Sequence, residues 1–132
     1  MGEVGSGAAT KLAMNQLIAS LTVGFTTSLA LCQKNDVDLD KMMGILRSSA
    51  LFAPQFDKKM PMWMSREYGV ANFPLKHLLK DVRLFGEEAR KAEIDERLLN
   101  SMEATIQDAV DRGYSDADYS AIYEAVFNPK KK

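Results

Sequence analysis

The chain has 132 residues, of which 46% are hydrophobic and 27% charged, so it is long enough to bury a core of its own. Its formal net charge of -1 excludes a general electrostatic attraction to nucleic acid or to an anionic membrane. With Cys32 as the only cysteine and His77 as the only histidine, it cannot form an intramolecular disulfide, a cysteine-based zinc site or a multi-histidine metal site. We therefore expect neither a metal nor a nucleic-acid partner.

Cys32 and His77 can each be interpreted as structural residues with no function in a site. Cys32 lies in an apolar run, where a cysteine usually behaves as a small buried hydrophobe, and this favours a reducing compartment. His77 is expected to be an exposed or hydrogen-bonded residue of a helix.

The N-terminus lacks the basic and apolar regions of a signal peptide, so a cytoplasmic location is expected.

The first predicted element is a long helix over residues 7–33. Residues 12–32 contain no charged side chain, and a segment of that length is long enough to span a bilayer. Polar side chains interrupt this segment, and each of them costs free energy in hydrocarbon: Asn15, Gln16, Ser20, Thr22, Thr26, Thr27 and Ser28. We therefore expect a buried central helix of a soluble domain and no membrane span.

Two shorter helices follow. Asp38 has the position of an N-cap for a helix over residues 39–48. Pro54 suits the first turn of a third helix through Met60, and Pro61 is expected to end or kink that helix. Residues 62–64 would then follow outside the helix and lead into a loop.

The remaining predicted elements are also helical. Pro74 can open a fourth helix that runs to residue 92, and residues 98–112 predict a fifth helix with Gly113 at its C-cap. Residues 115–118 have the form of a capping box that opens a last helix through Phe127. Because strand and hairpin signals are absent, the sequence predicts an all-α fold of about six helices packed around one long N-terminal helix.

The first candidate site lies near the start of the long helix. Lys11 and Asn15 are four residues apart, so they lie on one face of that helix, and glycines precede them. An ammonium beside an amide suits an oxyanion or a carboxylate, and the ammonium can donate a proton to a developing alkoxide. The alternative is structural, with Lys11 exposed in the first turn and Asn15 bonded to the backbone.

A second candidate cluster covers residues 73–81. Leu75, Leu78 and Leu79 form its apolar face, while Lys80 and Asp81 point about 100° apart on the helix. Asp81 can be an orienting carboxylate or an ordinary surface residue.

These two segments together resemble the β-hydroxyacid dehydrogenases. The pattern G-x-x-G-x-G-x-x-x-K-x-x-x-N at residues 2–15 is similar to the start of their C-terminal domain. Residues 73–77, followed by Lys80-Asp81-Val82-Arg83-Leu84, are similar to a second signature of that domain, closest to glyoxylate/succinic semialdehyde reductases. The resemblance implies the helical fold of the C-terminal domain of 6-phosphogluconate dehydrogenase.

The resemblance also implies roles for individual residues. Lys11 matches the catalytic general-acid lysine, and Asn15 matches a residue that holds the substrate. Phe73 and Asp81 match positions that shape and support the substrate site, and Lys80 matches a lysine near the cofactor. The implied substrates are small β-hydroxyacids or the matching aldehydes, with NAD or NADP as the cofactor and no metal.

The same resemblance sets the expected domain organisation. Residues 1–132 would form a single helical substrate and dimerisation domain, and the N-terminal Rossmann domain would be absent from this chain and act as its partner. Met1 directly before Gly2 is consistent with a start codon added to an excised domain. The chain alone would be inactive, so whether to class it as an enzyme is left open. A homodimer is expected, since the long helix and the Met-rich segment at residues 60–64 offer apolar surface. The alternative function is a non-catalytic oligomerisation or interaction module.

Overall fold

A computed structural model describes residues 5–130, so the first glycine of the N-terminal motif, Gly2, lies outside the described part, as do Lys131 and Lys132. Within these residues the chain is helical and has no β-strand. The α-helices are α1 (Ser6–Lys34), α2 (Leu39–Arg47), α3 (Pro54–Ser65), α4 (Leu75–Lys91), α5 (Arg97–Ala109) and α6 (Ile122–Phe127). The all-α class and the long N-terminal helix are confirmed.

The long helix α1 packs against α4, α5 and α6 along one face only. The buried positions on that face include Ala19, Thr22, Thr26 and Leu29. Thr22 and Thr26 donate their hydroxyl hydrogens to backbone carbonyls of the preceding turn, at 2.7 and 2.6 Å, so burial leaves neither hydroxyl without a partner. By length and composition α1 is apolar enough to cross a membrane, and only a third of its most apolar window is buried against the rest of the chain. The expectation that α1 is buried is therefore met along one face only.

Two groups of buried side chains hold the helices together. The first joins the N-terminal half of α1 to α4, α5 and α6, with Leu78, Ile106 and Ile122 fully buried. The second joins the C-terminal half of α1 to α2 and α3, where Phe25 stacks on Phe56 with ring centroids 4.2 Å apart. Because α1 contributes to both groups, it fixes the position of α4 relative to α3. Cys32, expected to be buried, is only half-buried at the end of α1.

The ends of the middle helices follow the predicted capping, with one correction. Asp38 caps α2, and its carboxylate accepts hydrogen bonds from Asp40 N and Lys41 N. Pro61 does not end α3, which continues to Ser65, so residues 62–64, which were expected to follow the helix, belong to it. Burial explains the continuation, since Trp63 is fully buried and its indole N–H donates to the Ser120 carbonyl at 3.0 Å.

The C-terminal part also departs from the prediction. Helix α5 ends at Ala109 and is followed by a π-helical turn, Val110–Tyr114, in which Gly113 has a left-handed φ of 101°. The predicted capping box at residues 115–118 does not form. Instead Asp118 caps a short 3₁₀ helix, Tyr119–Ala121, that leads into α6. Asp118 is buried, and its carboxylate accepts hydrogen bonds from Lys59 and Asn72 as well as from Ser120 N. The two contacts with distant residues could not be predicted from the local sequence pattern.

Candidate functional site

One open groove between α1 and α4 is lined by all five residues that the sequence singled out, together with His77. Lys11 and Asn15 come from adjacent turns of α1, while Lys80 and Asp81 come from the first half of α4. Phe73 lies just before α4 begins. The packing of α1 on α4 thus joins two segments that are 58 residues or more apart in the sequence.

The floor of the groove is a hydrogen bond between the two helices. Asn15 Nδ2 donates to Asp81 Oδ2 at 2.7 Å, and both side chains are half-buried. The structural alternative required Asn15 to bond the backbone, and that part of it is wrong, whereas Lys11 is exposed as that alternative expected. Because the amide nitrogen is committed to Asp81, the orientation of the amide is fixed and its carbonyl oxygen remains available as an acceptor.

The rim of the groove carries positive charge. Lys11 and Lys80 are both exposed, and neither forms an ion pair or a hydrogen bond with any other residue in the range 5–130. His77 is exposed as well, as expected, and lies on the same wall. Two ammonium groups around one carboxylate make the groove complementary to a small anion such as a carboxylate or a phosphate.

Phe73 is held in place by the segment that precedes α6. Its carbonyl accepts a hydrogen bond from Tyr119 N at 2.9 Å, and its ring meets the Tyr119 ring edge-on with centroids 6.2 Å apart. The neighbouring Leu75 N donates to the Ala117 carbonyl at 2.9 Å. These backbone bonds form an isolated bridge between Pro74 and Asp118, which fixes where the aromatic ring stands beside the groove.

Beneath this bridge lies a buried ion pair that sequence reasoning missed. Lys59 Nζ on α3 donates to Asp118 at 3.0 Å, and the two residues are 2% and 0% exposed. Asp118 also accepts hydrogen bonds from Asn72 N at 3.0 Å and from the Ser120 hydroxyl at 2.6 Å. Burial alone would raise the pKa of Asp118, but the hydrogen bonds from Ser120 and Lys59 outweigh it and hold that pKa below its ordinary value.

No local pattern in the sequence marks this pair. Lys59 lies beside Lys58 in a predicted short helix, a position typical of an exposed cation. Asp118 lies in the predicted capping box at residues 115–118, a position typical of the surface. Burial of the pair depends on contacts between residues 59 positions apart.

The residues present are compatible with part of a dinucleotide site and give no sign of a metal site. Lys80 stands on the exposed rim and can pair with an anionic group of a cofactor, as the positively charged wall favours. Within the described residues no three His, Cys, Asp or Glu side chains cluster as metal ligands would.

Comparison with known proteins shows the family to which the chain belongs. The family model described as "NAD-binding of NADP-dependent 3-hydroxyisobutyrate dehydrogenase" matches residues 5–126. Glyoxylate/succinic semialdehyde reductase 2, chloroplastic, from Arabidopsis thaliana is 33% identical over all of this chain and 37% of the relative. Glyoxylate/succinic semialdehyde reductase 1 of the same organism is 32% identical over 96% of this chain and 43% of the relative.

A solved structure shares the fold. The crystal structure of 3-hydroxyisobutyrate dehydrogenase from Salmonella typhimurium superposes with a TM-score of 0.77 at 21% identity, covering 91% of this chain and 42% of that one. The chain thus spans about two fifths of the length of the proteins it matches. The resemblance found in the sequence is confirmed, and the chain belongs to the family of NAD-binding domains of NADP-dependent 3-hydroxyisobutyrate dehydrogenase.

Proposed function

We propose that the groove between α1 and α4 is one side of the active site of an NAD(P)-dependent oxidoreductase that acts on small β-hydroxyacids or the matching aldehydes. The observation that carries this proposal is the convergence of Lys11, Asn15, Phe73, Lys80 and Asp81 on one groove. The relatives support it too, since two of them are named as reductases of glyoxylate and succinic semialdehyde.

Each residue of the groove then has a chemical task. Lys11 donates a proton to the substrate oxygen as that oxygen becomes an alkoxide. Asn15, held by Asp81, offers its amide oxygen to a substrate hydroxyl, and Phe73 provides an apolar wall of the groove. A nicotinamide cofactor supplies the hydride when it is bound, and Lys80 is placed to hold one of its anionic groups.

We further propose that this chain is the C-terminal part of a longer dehydrogenase whose N-terminal Rossmann domain completes the site. The relatives support this, because the chain matches only 37% and 43% of their length. On this proposal the 132-residue chain should bind a small carboxylate weakly and oxidise no NADPH when glyoxylate or succinic semialdehyde is added.

Binding to the chain itself can be followed by nuclear magnetic resonance. We expect glyoxylate to shift the backbone amide signals of residues that line the groove, and Lys11→Ala to weaken that binding about tenfold, because the anion loses one of its two cations. Lys58→Ala is the matched control, since Lys58 is an exposed lysine on α3 that does not line the groove. If glyoxylate shifted the amide signals of Lys11→Ala and Lys58→Ala equally, the proposed binding of the anion beside Lys11 would be contradicted.

The catalytic role of Lys11 requires the longer protein. There Lys11→Ala should lower kcat by about 10²–10⁴-fold, the usual contribution of a general acid, while the far-ultraviolet circular dichroism spectrum stays unchanged. Lys58→Ala should leave kcat and KM as they were. A Lys11→Ala enzyme with nearly normal turnover would remove Lys11 from the mechanism.

A second pair of variants separates the charge of Asp81 from its hydrogen bond. Asp81→Asn keeps an oxygen that can accept from Asn15, whereas Asp81→Ala leaves the Asn15 amide without its partner. We expect the alanine variant to raise KM more than the asparagine variant does. The reverse order would mean that the negative charge of Asp81, and not the orientation of Asn15, is what the substrate requires.

A further inference from the structure

The tasks proposed for the groove residues leave out the buried pair of Lys59 and Asp118. Within residues 5–130 these two are the only charged residues that are buried. Replacing a buried ion pair by well-packed hydrophobic residues is often neutral for stability or even favourable. Stability alone therefore does not account for the pair, and its contacts with the segment that carries Phe73 indicate a second role.

Asp118 acts on Phe73 through the backbone. Its Oδ1 atom accepts a hydrogen bond from Asn72 N at 3.0 Å and a longer one from Phe73 N at 3.5 Å. The Phe73 carbonyl accepts from Tyr119 N, the residue after Asp118, at 2.9 Å. Residues 66–73 belong to no helix or strand. These bonds, and not regular secondary structure, therefore hold the backbone of Phe73.

Lys59 acts on Phe73 through an aromatic ring. Its ammonium lies over the Tyr119 ring, with Nζ 4.7 Å from the ring centroid, which is a cation–π contact. Tyr119 is buried, and its ring meets the Phe73 ring edge-on. The two partners of the ion pair thus reach Phe73 by separate routes, one through its backbone and one through its ring.

We propose that the pair of Lys59 and Asp118 fixes the ring of Phe73 as one wall of the groove and thereby determines which aldehydes the groove favours. Neither residue lines the groove, so both are positioning residues that act through Phe73. The choice of aldehydes rests on the proposed function, whereas the placement of the ring can be measured without any substrate.

The aldehydes in the names of the two relatives differ in a feature that an apolar wall detects. Succinic semialdehyde has two methylene groups between its carboxylate and its aldehyde, and glyoxylate has none. One methylene group in an apolar site changes kcat/KM by about tenfold or more. Displacing Phe73 should therefore lower kcat/KM for succinic semialdehyde by about tenfold. It should change kcat/KM for glyoxylate little, since Lys11 and Asn15 stay in place.

The placement of the ring is tested by nuclear magnetic resonance on the full 132-residue chain. Rings that meet edge-on give nuclear Overhauser effects, and we expect them between Phe73 and Tyr119. Asp118→Asn and Lys59→Met should each weaken these effects, because each variant removes one of the two routes. Leu99→Ala is the matched control, since it also truncates a buried side chain and costs stability. Leu99 lies beside Gly86, toward the other end of α4 from Phe73.

The consequence for the substrate is tested by kinetics of the longer protein. Asp118→Asn should lower the ratio of kcat/KM for succinic semialdehyde to kcat/KM for glyoxylate by about tenfold, and Lys59→Met should lower it in the same direction. Leu99→Ala should leave the ratio unchanged. In a Phe73→Leu background the ring is absent, so Asp118→Asn should then have no further effect on the ratio.

Three results would overturn the proposal. One is a set of Phe73–Tyr119 Overhauser effects that stay at full strength in both folded variants. Another is an equal loss of kcat/KM for both aldehydes, which indicates general damage to the fold. The third is an effect of Asp118→Asn on the ratio that persists in the Phe73→Leu background.

Two further outcomes are also decisive. If Asp118→Asn does not fold, Lys59→Met carries the test, because Asp118 then keeps its hydrogen bonds to Asn72 and Ser120. If the unmodified longer protein reduces neither aldehyde, the proposed function is wrong. The Overhauser effects then still decide whether the ion pair positions Phe73, so the two failures are distinguishable.

Discussion

Replacing Asp118 by asparagine tests how much the buried ion pair beneath the Pro74–Asp118 bridge contributes to stability. The change keeps the shape of the side chain and removes its charge. Every hydrogen bond that the Asp118 carboxylate makes within the described residues is with a donor: Lys59 Nζ, Asn72 N, Phe73 N, Ser120 N and Ser120 Oγ. An asparagine has only one acceptor oxygen, so its NH₂ group must face some of these donors.

The expected loss of unfolding free energy follows from the burial of the Lys59–Asp118 ion pair. Lys59 is 2% exposed and would be left buried without its carboxylate. Breaking a buried ion pair by removing one partner costs about 3–5 kcal/mol, and we expect Asp118→Asn to lower the free energy of unfolding by that amount. Lys59→Met should cost less, because Asp118 would still accept hydrogen bonds from Asn72 and Ser120.

Urea denaturation followed by the fluorescence of Trp63 is a direct assay. Trp63 is the only tryptophan, it is fully buried, and its indole bonds the Ser120 carbonyl next to the ion pair. The double variant Lys59→Met/Asp118→Asn completes a cycle, and we expect a coupling free energy of about 1–3 kcal/mol. A loss below about 1 kcal/mol for Asp118→Asn would refute the reasoning, because it would mean that water reaches the pair.

The pH dependence gives a second check on the same residue. The pKa of Asp118 is lower in the folded state than its ordinary value. Its contribution to stability is therefore fully present above the unfolded pKa of about 3.9 and is lost as pH falls through the folded pKa. Asp118→Asn should lose less stability than the unmodified chain between pH 5 and about pH 2.

Two further predictions concern alkaline pH and backbone conformation. Burial raises the pKa of both Tyr119 and Tyr123 to about 12, so phenol absorbance should report ionisation near pH 12. Because the folded pKa is above the unfolded pKa of about 10, stability should fall between about pH 10 and 12, and ionisation of both rings at pH 10 in the folded chain would contradict this. Gly113→Ala should cost about 1–2 kcal/mol in a urea titration, since Gly113 has φ of +101° and only backbone strain opposes the new methyl group. Gly44→Ala, in the exposed interior of α2 with open space around it, should instead stabilise by about 0.5–1 kcal/mol, and the same sign for both substitutions would refute the distinction.

The helices and the pair of Lys11 and Asn15 were accessible from the sequence because both depend on local spacing, whereas Phe73, Lys80 and Asp81 were assigned to the site through the family resemblance. Apolar residues at intervals of three and four predicted α4 and α5 to within a few residues at each end. The interval of four between Lys11 and Asn15 placed both on one face of α1, and they do line one groove. The roles assigned to them remain predictions that the experiments above address.

What the sequence could not supply depends on packing between distant segments. The hydrogen bond from Asn15 to Asp81 requires α1 and α4 to be in contact, and the pair of Lys59 and Asp118 requires α3 to meet the segment before α6. The same cause extended α3 past Pro61, because burial of Trp63 stabilises a turn that loses one backbone hydrogen bond at the proline.

Because helix α1 is long, a small change in its tilt moves the residues near its N-terminus by a large distance. It is a single helix of 29 residues, and Lys11 lies about 20 Å along its axis from Gly24. A tilt of only about 3° about Gly24 therefore displaces the backbone at Lys11 by about 1 Å, and a displacement of that size at a reacting group can cost on the order of 100-fold in rate. On the proposed function, contacts at the middle of α1 therefore determine how precisely Lys11 is positioned for proton transfer.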